Sequence, residues 1–389
     1  MAKFDFNNSR YAKFFSSKEN TRFLQTFIDR TDIFFTNYGW YKTQGSKDPD
    51  TTPTAADGTA TLTVKAKKLE SAPMMDLRAP LGDSNQMDTK GIEWYTTSIP
   101  DFIANGFTEK ATEREYRRRQ FEEFGNDADI VEAWTNRVQS QMDSLDATMT
   151  WMTAKLMTSG KIDYSTIGRG IKAPLQKVPN ITIGNCGKTA FTDTENCDLL
   201  TAMRTMEKEY RDAHGHYSGP LEWQFTRKFY NEYFLKNKAV KEFVQSYRTL
   251  NYKASTKSIP VLDSEWQAAK VDCEGISPIE LVEERERNMT NTTDSFVNGW
   301  SDNIAVLRPA GDAVKFAHKD FLDRAMQEKY GSDFIKAVFA STNDGLGLLM
   351  NSTIQNGRYK EWHTDLMLAA IPVLIDFPNH MIIDVTKTA

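Results

Sequence analysis

Three cysteines, Cys186, Cys197 and Cys273, are too few and too odd in number to make a disulfide framework for 389 residues, which points to a reducing compartment. There is no positive excess either. Lysine and arginine together number 48 against 53 aspartates and glutamates, a net charge of −5, so the chain lacks the global field of a dedicated nucleic-acid binder and leaves room only for a local basic patch. No long apolar run is present. The most apolar stretch, Leu366 to Ile375, is about half of what a membrane-spanning helix needs and contains Pro372, so it reads as a buried strand. The opening residues, Met1-Ala2-Lys3-Phe4-Asp5-Phe6-Asn7, hold no apolar signal core, and the expectation is a soluble protein made in a cytosol.

What is there is a globular balance: 40% hydrophobic and 26% charged residues, enough for a sizeable core in one large or two ordinary domains. Aromatics at 12% favour large buried contacts, within a subunit or between subunits.

Along the chain, Ser17 to Ile28 has helical spacing (Phe23, Leu24, Phe27, Ile28), and Gly45 to Gly58 has linker chemistry. Two segments then alternate with period two. Ala60, Leu62, Val64 and Ala66 oppose Thr61, Thr63, Lys65 and Lys67; farther on, Ile92 and Trp94 alternate with Glu93 and Tyr95. With Pro73, Pro80 and Gly82 between them, they predict a long β-hairpin with an irregular tip, thin in apolar content and in need of an external cover.

The strongest signal follows. After a short charged helix at Ala111 to Phe124, the apolar residues Ile130, Val131, Trp134, Val138, Met142, Leu145, Met149, Met152, Leu156 and Met157 recur in steps of one, three or four up to Gly160. This predicts one helix of roughly 50 Å. Leu199 to Ala213 reads as an amphipathic helix, Leu221 to Phe225 as a strand, and Arg227 to Leu235 and Ala239 to Leu250 as helices. Lys253 to Asp302 is expected to be irregular, Asp312 to Tyr330 helical, and Trp362 to Val385 strand-like with breaks at Pro372 and Pro378. The fold class is α+β.

Motifs with chemistry fare poorly. In Thr182-Ile183-Gly184-Asn185-Cys186-Gly187-Lys188-Thr189 the first glycine of a phosphate-binding loop is replaced by Thr182, and no strand-to-helix context follows. Cys186, Cys197, His214 and His216 lack the close pairing of structural zinc ligands, and a Gly-containing turn explains them as well. The five histidines (with His318, His363 and His380) accompany no Gly-x-Ser-x-Gly sequence. Arg117-Arg118-Arg119 reads first as a solvated helical face paired with Glu113, Glu115, Glu122 and Glu123, and second as a subunit or nucleic-acid contact. No catalytic, cofactor or metal residue is assigned.

An extended first hundred residues with little core of their own suits a ring-forming array of identical subunits. The chain here resembles the tailed-bacteriophage major capsid proteins of the Hong-Kong-97-type fold, the phage lambda major head protein branch in particular. The resemblance is carried by Ser98-Ile99-Pro100, by Glu115-Tyr116-Arg117-Arg118-Arg119-Gln120, by Gly219-Pro220-Leu221-Glu222-Trp223 within Leu199 to Leu250, and by Met367 to Asp376. It implies an N-terminal arm (1–41), an extended loop over a neighbour (42–100), a peripheral domain (101–239) with a spine helix at about 127–159, an axial domain (240–335) and a return to the peripheral domain (336–389). It implies no catalytic site. Hexamers and pentamers would enclose double-stranded DNA in a virion built in the host cytoplasm, with portal and scaffolding proteins, and where one exists a decoration protein, as partners. No membrane is involved. Under this reading Trp40, Tyr41, Lys65, Lys67, Arg117, Arg118 and Arg119 are the candidate intersubunit contacts. Some relatives cross-link loop lysines to a neighbour's asparagine, but nothing singles out such a pair among Lys65, Lys67 and Lys68. The alternatives are a related shell that holds enzyme cargo, and a nucleotide-using enzyme built on Gly187-Lys188-Thr189.

Overall fold

The computed structural model describes residues 41–46, 52–53, 60–69, 91–99, 103–110, 112–113, 116, 119, 128–163, 175–252, 260–270, 276–282, 287–288, 296–297, 299–318, 337–341, 347–355 and 361–388. The expected helix at Ser17 to Ile28 and the hairpin tip lie outside these residues, as do Trp40, Arg117 and Arg118.

The chain runs through β1 (Tyr41–Ser46), β2 (Thr52–Pro53), β3 (Ala60–Lys67), β4 (Ile92–Ile99) and β5 (Ile103–Glu109) into the helix α1 (Ala128–Ser159). Short strands β6 (Lys161–Asp163), β7 (Leu175–Lys177) and β8 (Thr182–Asn185) precede α2 (Leu199–Ala213) and β9 (Leu221–Thr226). A helical turn at Arg227–Phe229 continues as a π-helical turn, Tyr230–Phe234, before α3 (Lys238–Tyr252) and α4 (Asp263–Lys270). Then come β10 (Ile279–Val282), β11 (Arg287–Asn288), β12 (Phe296–Val297), β13 (Ile304–Pro309) and β14 (Val314–His318). The last part holds β15 (Ala337–Ser341), β16 (Gly347–Gln355), β17 (Glu361–Leu368), β18 (Ala370–Leu374), a 3₁₀ turn at Phe377–Asn379 and β19 (Met381–Asp384). The architecture is α+β.

The hairpin forms as its alternation requires. β3 and β4 pair antiparallel from Ala60 opposite Ile99 to Lys67 opposite Ile92. Its two faces, however, are assigned by packing rather than by hydropathy. Val64 and Ala66 are buried, and so are Tyr95, Thr97 and Ile99 on the return strand, whereas Ile92 and Trp94 point outward. Tyr95 stands directly across from Val64, and directly opposed residues share a face. Its ring also meets Phe377 edge-on at 5.0 Å, and its hydroxyl accepts the Leu374 amide at 3.2 Å. The base of the hairpin is thus covered by its own chain, where an external cover was expected.

α1 has the predicted extent. Val138, Met142, Leu145, Met149, Met152, Leu156 and Met157 form its buried stripe, and 32 residues at a rise of 1.5 Å give about 48 Å. The helix ends at Gly160, whose φ of 64° is left-handed and whose amide bonds to the Leu156 carbonyl. The stripe packs on β18 and β5, and β5 is the edge of a four-stranded antiparallel sheet ordered β15-β16-β17-β5.

A five-stranded mixed sheet, β10-β9-β13-β19-β8, separates two cores. Ala305 and Leu307 of β13 face the second core with Trp223 and Phe225 of β9 and the apolar faces of α2 and α3, while Val306 between them belongs to the first core. Leu200, Met203, Met206 and Tyr210 fill the second core as their spacing predicts.

Several expectations are corrected. Gly45 and Ser46 belong to β1 and Thr52–Pro53 to a strand, so the linker reading fails there. The region read as irregular contains α4, tied to α3 by Arg248, which donates to Glu265, and to the π-helical turn by the Tyr230 hydroxyl, which donates to Asp263 at 2.7 Å. Val314–His318 is a strand and not the start of a helix. Parallel pairing with β1 and antiparallel pairing with β18 override a spacing compatible with either. The apolar run at residues 366–375 is two strands in different sheets, divided at Ala369. Pro372 does not break β18, because β18 is an edge strand in which a missing donor is tolerated.

Gly160→Ala is expected to cost about 1–2 kcal/mol from the left-handed backbone alone. A Cβ at that position would also run into the Ile181 Cδ1 methyl. Denaturant unfolding checks this, with a loss below about 0.5 kcal/mol counting against it.

Candidate assembly surface

Leu250 and Ile183 are singly more exposed, but the outward face of the hairpin places two exposed large apolar side chains two residues apart on one strand. Trp94 is 66% exposed and Ile92 59%, on a strand whose opposite face is fully packed. Their cross-strand partners are Lys65, opposite Trp94, and Lys67, opposite Ile92, both exposed. Two large apolar groups beside two lysine stems make an amphipathic face, apolar at the backbone and cationic at its rim. A tryptophan held in open solvent by an otherwise well-packed strand leaves unburied the area that such residues contribute to interfaces.

That face is held rigidly. Asn379, itself buried, donates from Nδ2 to the Lys67 carbonyl at 2.9 Å and accepts the Leu69 amide at Oδ1 at 2.8 Å. On the other strand Glu93 accepts from Asn180 Nδ2 at 2.8 Å, with Lys68 Nζ at 3.9 Å. The Lys68 amide closes on the Gly91 carbonyl at 2.6 Å, so the ladder is still paired where the described part of the hairpin ends.

The remaining candidate contacts scatter. Tyr41 enters β1 opposite Val314. Arg119 is an exposed helical residue, as is Tyr116 one turn earlier, in agreement with the short charged helix at the positions described. Glu113 of that segment pairs with Arg137 of α1 at 3.4 Å, the acid-to-base pairing expected of a solvated face. Nothing described brings Arg119 to the lysines of the hairpin.

The segments that hinted at chemistry have structural occupations. Gly187, at φ 81°, turns the chain after β8, Lys188 is exposed, and turns continue until Asp198 caps α2 through its bond from the Thr201 amide. The Cys186 thiol donates to the Asp384 carbonyl at 3.1 Å, and burial pushes both it and Cys197 up to about 11, which keeps them as unreactive thiols. His214 Nδ1 bonds to the Tyr210 carbonyl at 2.8 Å, and His216 Nδ1 pairs with Asp212 on the surface. Among the described residues no group of three or more histidines, cysteines and carboxylates could hold a metal, and no helix is long and apolar enough to cross a membrane.

The buried charges are likewise engaged. Glu207 of α2 accepts from Trp223 Nε1 at 2.7 Å and from the amide and hydroxyl of Ser277 at 2.8 and 2.7 Å, which ties α2, β9 and the approach to β10 together. Arg308, only 1% exposed, donates to Glu222 and to the carbonyls of Pro309 and Gly311, both at 2.7 Å. Burial raises Glu222 above the usual carboxylate range, the Arg308 charge opposing it. Gln224 Nε2 bridges Glu222 and Glu280 at 3.1 Å each, so the cluster staples three strands of the mixed sheet. Acid–base chemistry needs a group with a free lone pair or proton facing substrate, and these are spent on backbone and on each other. Sequence reasoning missed Asn379, Glu207 and Arg308, since an isolated polar residue announces its burial only through partners far along the chain.

No family model matches the sequence, and no curated protein matches it. Solved structures do resemble it over most of its length. A chain assigned as the capsid protein of an E. coli CFT073 prophage is 12% identical, with 94% of this chain covering 98% of that one at a TM-score of 0.47. The capsid of cyanophage A-1(L) is 13% identical, with 92% and 97% covered at 0.44. A virus-like particle from Pyrococcus furiosus is 8% identical, with 83% and 85% covered at 0.35.

His380, just before β19, sits fully buried against the end of α1 with Nε2 donating to the Met157 carbonyl at 2.7 Å, and burial lowers its pKa to about 4. The unfolded chain therefore takes up this proton near 6.5 and the folded chain only near 4. Stability from this group is complete above about pH 6.5 and declines as pH falls toward 4. Chemical unfolding of the wild type and of His380→Gln across this range is expected to show a shallower decline in the variant. Identical slopes would remove His380 as the cause.

Proposed function

We propose that this chain is the structural subunit of an icosahedral shell: a major capsid protein of the Hong-Kong-97-type fold, akin to the phage lambda major head protein branch. It assembles into hexamers and pentamers around packaged double-stranded DNA and has no catalytic site. The carrying observation is the two-sided hairpin, packed on its own core through Val64, Ala66, Tyr95 and Ile99 and presenting Ile92 and Trp94 to solvent. A strand pair seated this firmly has no reason to expose a tryptophan unless another molecule covers it. The approximately 48 Å helix α1 supports the reading as the rigid span behind the hairpin. The order of hairpin, charged helical segment, long helix and two-core remainder supports it as well.

In this proposal a second copy receives the face formed by Ile92, Trp94, Lys65 and Lys67, with Tyr41 and Arg119, and beyond the described residues Trp40, Arg117 and Arg118, as further contacts. In this reading the peripheral domain (101–239 and 336–389) holds α1 and the four-stranded sheet, and the axial domain is 240–335. Portal and scaffolding proteins complete the assembly in the host cytoplasm, and the particle is the virion. A net charge of −5 suits a wall along which DNA must slide.

Deleting residues 46–90 is a blunt test, because it strips Val64 and Ala66 from the core. The sharper one is Ile92→Glu combined with Trp94→Glu. Both positions are exposed, so subunit stability is expected to change by no more than about 0.5 kcal/mol per site, while negative-stain microscopy of the overexpressed chain loses its shells. Normal shells from the double variant would overturn the proposal. Nuclease-protected DNA inside purified wild-type particles separates a DNA-filled head from a shell that holds enzyme cargo.

A further inference from the structure

The segment between β18 and β19 is six residues long and built around a single 3₁₀ turn, yet three separate parts of the molecule converge on it. Phe377 receives the Tyr95 ring of the hairpin, the Asn379 carbonyl accepts the Tyr210 hydroxyl of α2 at 2.6 Å, and His380 bonds to the Met157 carbonyl near the end of α1. At their centre the Asn379 side chain, 2% exposed, takes two backbone positions at the tip-side end of the hairpin ladder: it donates to the Lys67 carbonyl and accepts the Leu69 amide. Lys67 is the last residue of β3, so Asn379 continues the strand's hydrogen bonding one step past its end. Nδ2 also donates to Asp376, which fixes the amide orientation in the turn. Carbonyl and amide two residues apart, both satisfied by one planar side chain, leave the backbone at 67–69 a single direction.

We infer that Asn379 is the positioning residue for the hairpin: it clamps the tip-side end of the ladder, where Lys67 faces Ile92, onto the body, and hence sets where Trp94 and Ile92 are offered to the neighbouring subunit. The hairpin's packing fixes which face is inward, and Asn379 fixes where the arm lies. The α2 hydroxyl on its carbonyl couples that clamp to the second core. This inference rests on the shell reading for its consequence in assembly, but not for the tie itself.

The two parts are tested separately on the full-length chain. Asn379→Ala removes both bonds, and Asn379→Asp keeps the acceptor but sets a carboxylate against the Lys67 carbonyl and Asp376. Leu69→Pro removes the same amide from the hairpin side without touching the buried turn. Amide hydrogen exchange is expected to quicken about tenfold or more at 67–69 in the asparagine variants, while amides of β9 and β13 keep their protection. Electron microscopy is expected to show that all three variants still associate but lose the uniform particle diameter, since a misplaced arm changes the curvature between subunits. A stability role alone lowers the melting temperature and leaves the diameter unchanged. Unchanged exchange at 67–69 overturns the tie, and quickened exchange with native-diameter shells overturns the positioning role. Should the asparagine variants not fold, native-diameter shells from Leu69→Pro overturn it too. If the wild type forms no shells, the shell reading falls while the exchange measurement still decides the tie.

Discussion

One irregular turn, Leu374 to His380, carries the constraint on which the rest of the structure depends. β18 brings it along α1, β19 takes it into the mixed sheet, and on the way its side chains and carbonyls engage the hairpin, α2 and the C-terminal end of α1. Two cores separated by a sheet would otherwise share little beyond that sheet. Helix ends leave carbonyls without partners, and here the Met157 carbonyl is satisfied by a neutral, fully buried imidazole, so the turn and the helix end specify each other. The bonds that leave the turn reach far along the sequence, to Lys67 and Leu69, to Tyr210 and to Met157, so it links segments that local structure alone would not bring together.

The hairpin's double character follows from that anchorage. Eight residue pairs give an arm of about 25 Å, which alone would be marginal. The inner face wins its stability from the chain's own core, through Val64 and Ala66 on one strand and Tyr95 and Ile99 on the other. The outer face is free to be apolar only because the inner one already holds the arm in place. An arm with one sticky face and no seat would collapse onto its own body, and one with a seat and a polar outer face would have nothing to offer a neighbour.

Much of this was legible in the sequence, and the parts that were not share a cause. α1 could be read to within a residue, because ten apolar positions in register leave no competing period and Gly160 supplies the stop. α2 and β9 were readable for the same reason. Val314–His318 was misread because Val314 and Phe316 fit a strand as readily as a helix, and the deciding partners, β1 and β18, lie about 270 and 56 residues away along the chain. Alternation showed that the return strand has two faces but not which one turns inward, and only the register opposite Val64 puts Tyr95 inside and Trp94 outside. Asn379 carried no local signal whatever. Its partners Lys67 and Leu69 are 312 and 310 residues distant, beyond any periodicity argument.

The same contrast separates the candidate surface from an active site. A catalytic cleft concentrates polar groups whose bonding is left incomplete for a substrate to finish. In this chain the incompleteness is apolar and on the outside. Glu207 accepts from Trp223 and Ser277, and Arg308 donates to Glu222 and two carbonyls, while Trp94 and Ile92 stand exposed among the described residues. A fold that engages its buried charges internally and leaves a tryptophan and an isoleucine side by side in water fits the proposed contact with another protein surface. The lysines at the rim then discourage that face from burying itself in the wrong place, since any mismatched surface must strip Lys65 and Lys67 of water with no carboxylate in return.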